Sequence, residues 1–410
     1  MVRNKITPMN ILTDGMTPVI KKHIEGVYYA SSLISGMVWF ETGEGAVVID
    51  TLINISSAKK VVDSINEKIK YIIYTHGHAD HVGGAKVFME TNPEVIASKL
   101  LPERFDRYKL LEPYRNLIAT MQFNIPEYAF GKNLKEYIYP TKTFLGDFSF
   151  KLGKYTFQLH TGVGETDDAV WVYIPELNTA VIGDFMMGPW FPNVGNPWKP
   201  TRFALEWAKE LERIRAVKPK FIFCSGGGYL YEGEDVLKAL NDNIEVIHSL
   251  HDQVVKYINE GMHITEMIHV VKIPDHLNKS PYLKQVYSRP EFFVYNVYRW
   301  YHGYYDHNPA HLIPRPEKEV MEEINNLIGD KEKILSRVNN LLKQEQFQLG
   351  LQILDILIQS ESENIRALEL RVRLVEKLAQ NDKCVMSKNA YFYSIKQDKE
   401  LIKQLKRRSI

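Results

Sequence analysis

Between residues 27 and 98 short apolar runs alternate with turn residues. Val27-Tyr28-Tyr29, Met37-Val38-Trp39-Phe40 and Ala46-Val47-Val48-Ile49-Asp50 predict paired strands, with Gly43-Glu44-Gly45 as a turn. Ser56 to Lys68 has helical spacing, with Ser56 as its N-cap. Tyr71-Ile72-Ile73-Tyr74-Thr75 reads as a buried strand, Ala85 to Glu90 as a helix, and Glu94 to Ser98 as a further strand. Residues 101–123 are predicted helical. A second β-rich run starts at Phe148. Phe148 to Leu152 and Tyr155 to Leu159 flank a Gly-Lys turn. Ala169 to Ile174 and Thr179 to Ile182 flank a Pro-Glu-Leu-Asn turn. Phe203 to Val217 is an amphipathic helix, and Lys220 to Cys224 a strand that ends at Ser225-Gly226-Gly227-Gly228. Two successive runs of strands and helices predict two β-sheets with helices outside.

From residue 234 the strands stop. Glu234 to Gly261 reads as helix, and residues 281–316 are crowded with aromatics. From Glu317 to Ile410 the chain is charged, helical and poor in glycine. Ile324, Leu327, Ile328, Ile334, Val338, Leu341, Leu342, Leu349, Leu351, Ile353, Leu354 and Leu357 mark predicted buried helix faces. The basic end, Lys406-Arg407-Arg408-Ser409-Ile410, reads as frayed and solvated.

Composition adds exclusions. Hydrophobic residues make up 45% and charged residues 25% of 410, as in globular proteins. Fifty-one basic and 50 acidic residues leave a net charge of +1, so electrostatics argue for neither nucleic acid nor an anionic membrane as partner. Two cysteines, Cys224 and Cys384, exclude a disulfide framework and fit a reducing compartment. Met1 to Ile6 leads to no apolar signal-peptide core, and no apolar run reaches the length of a membrane span. A cytoplasmic location is expected.

The chemistry concentrates at His76-Gly77-His78-Ala79-Asp80-His81, followed by Gly83-Gly84. Three imidazoles and a carboxylate sit on a loop between a predicted strand and a predicted helix. A loop can turn all four toward one point. Imidazole and carboxylate suit zinc and, less tightly, manganese or iron. His76 and His78 would serve one metal, and Asp80 with His81 a second. Further ligands should lie at other strand ends, where Glu165 and Asp184 stand beside glycine. Asp50, which ends a buried strand, is expected to accept a hydrogen bond from a ligand histidine.

This pattern resembles the metallo-β-lactamase superfamily, which has an αββα sandwich with a dinuclear site between its sheets. Glu165 stands where most of that family has histidine, which is similar to its alkylsulfatase branch. Tyr173-Ile174-Pro175-Glu176-Leu177, Leu250-His251-Asp252-Gln253 and Tyr301-His302-Gly303-Tyr304-Tyr305-Asp306-His307-Asn308-Pro309 also resemble alkylsulfatase segments. The resemblance spans roughly residues 20–400. It implies a metallo-β-lactamase-like hydrolase domain over residues 1–280 and an all-α, alkylsulfatase-type dimerisation domain over 281–410, in a homodimer.

The chain departs from the family in three ways. Gly226 stands where the family completes its second site with histidine. Asp184 replaces a bridging glutamate. The family's C-terminal domain, similar to a sterol-carrier fold, has no counterpart in these residues. The resemblance implies hydrolysis of alkyl sulfate or related esters by a metal-bound hydroxide, with Asp80 catalytic. His76, His78 and Glu165 would form one site, and Asp80, His81 and Asp184 the other. An anionic ester substrate would need cations; Arg115 and Arg202 are suggested by the resemblance, and Arg299 by its place among aromatics. Two alternatives stay open: a non-catalytic metal-binding dimer with a decayed second site, and a hydrolase of another ester, lactone or thioester.

Overall fold

The structure is a computed structural model that describes residues 17–32, 34–124 and 137–408. The sequence readings at Met1 to Ile6 and at Ser409 and Ile410 lie outside these. The described residues form two compact units. One holds the chain up to Thr120 and from residue 137 to Tyr301; the other holds Met121–Asn124 and the chain from His302.

The first unit contains two sheets. In the first, β1 (Val19–Ile24), β2 (Val27–Ser31), β3 (Gly36–Glu41), β4 (Ala46–Ile49), β5 (Ile69–Ile73), β6 (Glu94–Ser98) and β7 (Lys142–Phe144) lie in sequence order. β1 to β4 pair antiparallel; β4 to β7 pair parallel. The parallel part is interleaved with helices α1 (Ile55–Lys59), α2 (Ala79–Val82), α3 (Leu101–Leu110) and α4 (Glu112–Phe123). The second sheet runs β8 (Asp147–Leu152), β9 (Tyr155–Gly162), β10 (Ala169–Ile174), β11 (Thr179–Val181), β12 (Phe221–Cys224) and β13 (Tyr229–Glu232), again in sequence order. Only β11 and β12 pair parallel, with α5 (Ala204–Ala216) between them; α6 (Glu234–Asn259), α7 (Ile264–Val270) and α8 (Pro290–Tyr301) follow.

The central strands of each sheet are apolar on both faces, because both faces are covered there. Val47 and Ile49 of β4 pack in the cluster that also holds Phe157, Leu159, Val170 and Val172 of the second sheet. Ala46 and Val48 point the other way, toward Ala58, Leu101 and Phe105. Trp171, Ala180 and Ile222 pack with Trp207, Leu211, Ile247 and Phe293. This is the expected αββα sandwich, and the helical second unit completes the expected fold class.

Several local expectations need correction. The helix over Ser56 to Lys68 stops at Lys59, and Asn54 rather than Ser56 caps it, accepting from the Ser57 amide at 2.8 Å. A 3-10 turn follows at Val62–Ser64, and beyond it the Glu67 carboxylate accepts from the amides of Thr42, Gly43 and Gly45 and so serves the β3–β4 turn. Residues 101–123 split at Leu111, because Pro113 has no amide with which to continue the first helix. Ala85–Thr91 is a 3-10 helix rather than an α-helix.

The second unit contains α9 (Pro309–Leu312), α10 (Glu317–Ile328), α11 (Lys331–Lys343), α12 (Phe347–Ser360), α13 (Ile365–Asn381) and α14 (Val385–Arg408). Ile334, Val338, Leu354 and Leu357 are core, as expected. Leu327 and Leu349 are exposed, against expectation. Lys406 and Arg408 are not frayed: they end α14 and pair with Glu369 and Glu363.

Candidate metal centre

Strand β5 ends at Ile73, and the chain turns at once through His76 and His78 into the short helix α2, which carries Asp80 and His81. Gly83 and Gly84 let this turn sit on the end of β4. A Cβ at Gly83 would come 2.0 Å from the Ile53 carbonyl oxygen, and one at Gly84 2.1 Å from that of Thr51. The Gly77 amide donates to Asp168 Oδ2 at 2.9 Å, and Arg104 Nε stands 2.6 Å from Asp168 Oδ1. Asp168 therefore sets the turn between the first two histidines.

Two donor clusters result. His76, His78 and Glu165 form one; His76, His81 and Asp184 form the other, and within each cluster the donor atoms lie within 4.8 Å of one another. His76 Nε2 is 2.9 Å from His78 Nδ1, and Glu165 Oε2 is 3.3 Å from His78 Nδ1. His81 Nε2 is 3.3 Å from Asp184 Oδ1 and 3.6 Å from Asp80 Oδ2. Asp80, 27% exposed, stands beside the second cluster. Asp50 Oδ2 accepts from His81 Nδ1 at 2.8 Å, while the Thr75 amide and hydroxyl donate to the same carboxylate. A carboxylate only accepts, so Nδ1 carries the proton and Nε2 is turned toward Asp184.

Electrostatics favour a cation here. His81 Nε2 and Asp184 Oδ1 are buried with no hydrogen-bond partner among the described residues. Buried polar atoms are seldom left so. Burial opposes a charged His81, yet Asp184, Asp80 and Asp50 outweigh it and raise its pKa well above the ordinary value. Burial pushes Asp184 up to about 6 against the pull of His81. Burial lowers His78 to about 3, which keeps it in the neutral form a metal requires. Burial acts against charge on Glu165 too, but Arg202 and the histidines hold it well below the carboxylate range. Two clusters of buried imidazole and carboxylate, with orphaned donor atoms, fit a divalent metal.

Of the other expected residues, Arg202 Nη1 is 2.9 Å from Glu165 Oε1, on the side away from the histidines. Arg299 donates to the Lys199 carbonyl at 2.7 Å and to Asn296. Arg115 donates to the Tyr137 hydroxyl at 2.8 Å and lies 3.5 Å over the Tyr108 ring. Gly226 lies against Asp184: a Cβ there would fall 2.7 Å from Oδ1 and 3.1 Å from Met187 Cγ. Sequence reasoning missed Asp168, Thr75 and Asn193, whose amide donates to Glu165 Oε1 at 2.5 Å. Asp168 lies three residues after Glu165, a visible signal; nothing in the spacing marks Asn193.

Comparison with known proteins matches two families to successive parts of the chain. The family described as the Metallo-beta-lactamase superfamily matches residues 34–226, and that described as Alkyl sulfatase dimerisation matches residues 263–400. The two matched regions follow one another along the chain, the metallo-beta-lactamase region first and the alkyl sulfatase dimerisation region second. It is 25% identical over 388 residues to a linear primary-alkylsulfatase of Pseudomonas sp., covering 86% of this chain and 72% of that one. It is 23% identical over 399 residues to an (R)-specific secondary-alkylsulfatase of Pseudomonas sp., where the match covers 87% of this chain but only 59% of the relative. A solved stereoselective inverting sec-alkylsulfatase from Pseudomonas sp. superposes with a TM-score of 0.84 at 19% identity, covering 96% of this chain and 70% of that one; it shares the fold. No helix among the described residues is long and apolar enough to cross a membrane.

Proposed function

We propose that this chain is a metal-dependent hydrolase of alkyl sulfate esters. The observation that carries this reading is the pair of buried donor clusters sharing His76, in a chain whose later part matches the alkyl sulfatase dimerisation family. Both comparison relatives named above carry alkylsulfatase names. In this reading His76, His78 and Glu165 hold one ion, and His81 and Asp184, with Asp80 beside them, hold a second. Zinc suits these donors best, and manganese or iron less tightly. Such an ion, when bound, supplies Lewis-acid polarisation and lowers the pKa of a water to about 7.

The chain's own residues supply the rest. Asp50 keeps the proton on His81 Nδ1, so that Nε2 can serve as a ligand. Arg202 and Asn193 fix Glu165 through Oε1 and leave Oε2 toward the histidines. Asp80 is the partly exposed carboxylate of the group, and we assign it the proton of the attacking water at Oδ2. The metal-binding part and the dimerisation part are the two functional domains of this reading, and a homodimer its assembly. A reducing, cytoplasmic setting is supported by two buried free thiols, Cys224 and Cys384.

Gly226 favours a second reading, a metal-binding protein without turnover, because no ligand side chain can come from that position. The test is turnover of primary and secondary alkyl sulfates by zinc-loaded protein, beside a neutral ester, a lactone and a thioester. Sulfate release from the alkyl sulfates is expected. Turnover confined to another class would replace the substrate, and none at saturating zinc would favour the second reading.

A further inference from the structure

Residues 74–78 belong to no strand or helix, so the turn that carries His76 and His78 takes its shape from contacts outside itself. Two fully buried carboxylates hold alternate amides of it. Asp50 Oδ1 accepts from the Thr75 amide at 2.8 Å, and Asp168 Oδ2 from the Gly77 amide at 2.9 Å. Asp50 also meets a donor side chain, His81. Asp168 serves the backbone between two others. It ends the β9–β10 loop, three residues after Glu165, so one loop supplies both a donor to the first cluster and the brace for its two histidines.

Helix α3 fixes that brace. Arg104 is buried and places Nε 2.6 Å from Asp168 Oδ1. It also pairs with Asp167 and donates through Nη1 to the Tyr108 hydroxyl at 3.0 Å. The helix lies directly against the turn: a Cβ at Gly77 would fall 2.8 Å from Arg104 Cδ and 3.3 Å from Phe105 Cε1. Phe105 is fully buried and stacks on Tyr137 with ring centroids 4.3 Å apart, and the Tyr137 hydroxyl accepts from Arg115 on α4. Arg115 in turn lies over the Tyr108 ring. The guanidinium that orients Asp168 is therefore held on several sides by packed neighbours.

We propose that Asp168 is a positioning residue of the metal centre, that Arg104 orients it, and that together they hold the His76-Gly77-His78 turn in its metal-binding shape before an ion arrives. The proposal rests on the metal-centre part of the reading above and is independent of which ester is hydrolysed. A turn held in advance loses little backbone freedom when its imidazoles meet an ion. A loose turn loses that freedom on binding, and affinity falls. The role belongs to the carboxylate oxygen that faces the Gly77 amide; the charge pair with Arg104 fixes where that oxygen points.

The test compares two double variants of the full chain by zinc and cobalt binding. Arg104→Met with Asp168→Asn removes both charges but keeps an oxygen that can accept from the Gly77 amide. Arg104→Met with Asp168→Ala removes the acceptor as well. Removing the charges together strands neither of them in the interior. Zinc affinity, read by competition with a chromophoric chelator, should fall at least about tenfold in the alanine variant and stay within about threefold of wild type in the asparagine variant. At saturating cobalt, the visible absorption spectrum should match wild type in the asparagine variant and change in the alanine variant. Arg104→Met with Asp168→Leu takes the alanine variant's place if that protein does not fold. Equal zinc affinities and equal cobalt spectra in the two double variants would overturn the proposal and leave a charge pair that only stabilises the fold. A wild-type chain that binds no zinc would overturn both the proposal and the metal-centre reading. The expected split between variants, in a protein that hydrolyses no alkyl sulfate, would leave Asp168 assigned and remove only the hydrolase reading.

Discussion

Arg202 shows how much one buried charge depends on its partner. Its guanidinium faces the Glu165 carboxylate with both side chains nearly fully buried. Removing one member of such a pair leaves the other uncompensated. Arg202→Met should therefore destabilise the metal-free protein by about 3 kcal/mol or more in urea unfolding. It should also lower metal affinity at the His76, His78 and Glu165 cluster. Asp80 is different, because it is partly exposed and lies outside both clusters. Asp80→Ala should abolish most alkyl sulfate turnover while circular dichroism stays native. His78→Ala should lose metal more completely, as read by elemental analysis. Wild-type metal content and turnover in both would refute the site.

Gly226 sharpens the second cluster. Its own φ is not left-handed, unlike those of Gly227 and Gly228, so a side chain is excluded there by contact with Asp184 rather than by backbone strain. Gly226→His should not restore a ligand. It should push Asp184 aside and cost metal, and Gly226→Ala should do so to a smaller degree. In wild-type protein, dialysis against chelator should remove the metal of the His81 and Asp184 cluster first, leaving near one equivalent. Retention of two equivalents would mean that another residue has taken the place of the family's histidine.

Among the elements, the buried strands were legible and the edges were not. β4 and β5 are near-continuous apolar runs because both faces are covered. β1, with Lys21, Lys22 and His23 in six residues, has the charged character of an edge strand and no core-facing pattern to announce it. The predicted helix over Ser56 to Lys68 gives way after Lys59 to a 3-10 turn, and Glu67 within its predicted span serves a turn 22 to 25 residues earlier, which local spacing does not encode. Helix α8 depends on similar distant bonds. Asn296 is 1% exposed and makes two hydrogen bonds to the Arg202 backbone. Asn296→Ala should cost about 2 kcal/mol in unfolding. It should also loosen the segment that carries Lys199, seen as faster amide exchange at Lys199 and Arg202.

At the scale of the whole molecule, the second unit leaves apolar surface in water. Val320 and Leu327, seven residues apart on α10, are 43% and 86% exposed. A second copy of the chain is the expected cover, given the match to a dimerisation family. Light scattering at micromolar concentration should give twice the 47.6 kDa chain mass, and Leu327→Glu should shift it toward monomer without loss of helix. A wild-type monomer would remove the dimer from the functional reading. The two β-rich runs, the helical tail, and the imidazoles and acids of both clusters can be read along the chain. Those signals are local: apolar runs, turn residues, and ligand types packed into six positions or placed at strand ends. That His76 is shared between clusters, that Arg202 belongs to Glu165, and that Gly226 is closed off by Asp184 emerges only once the chain is folded. Each of these depends on which groups meet across two sheets and a distant helix, and that is set by packing rather than by spacing along the chain.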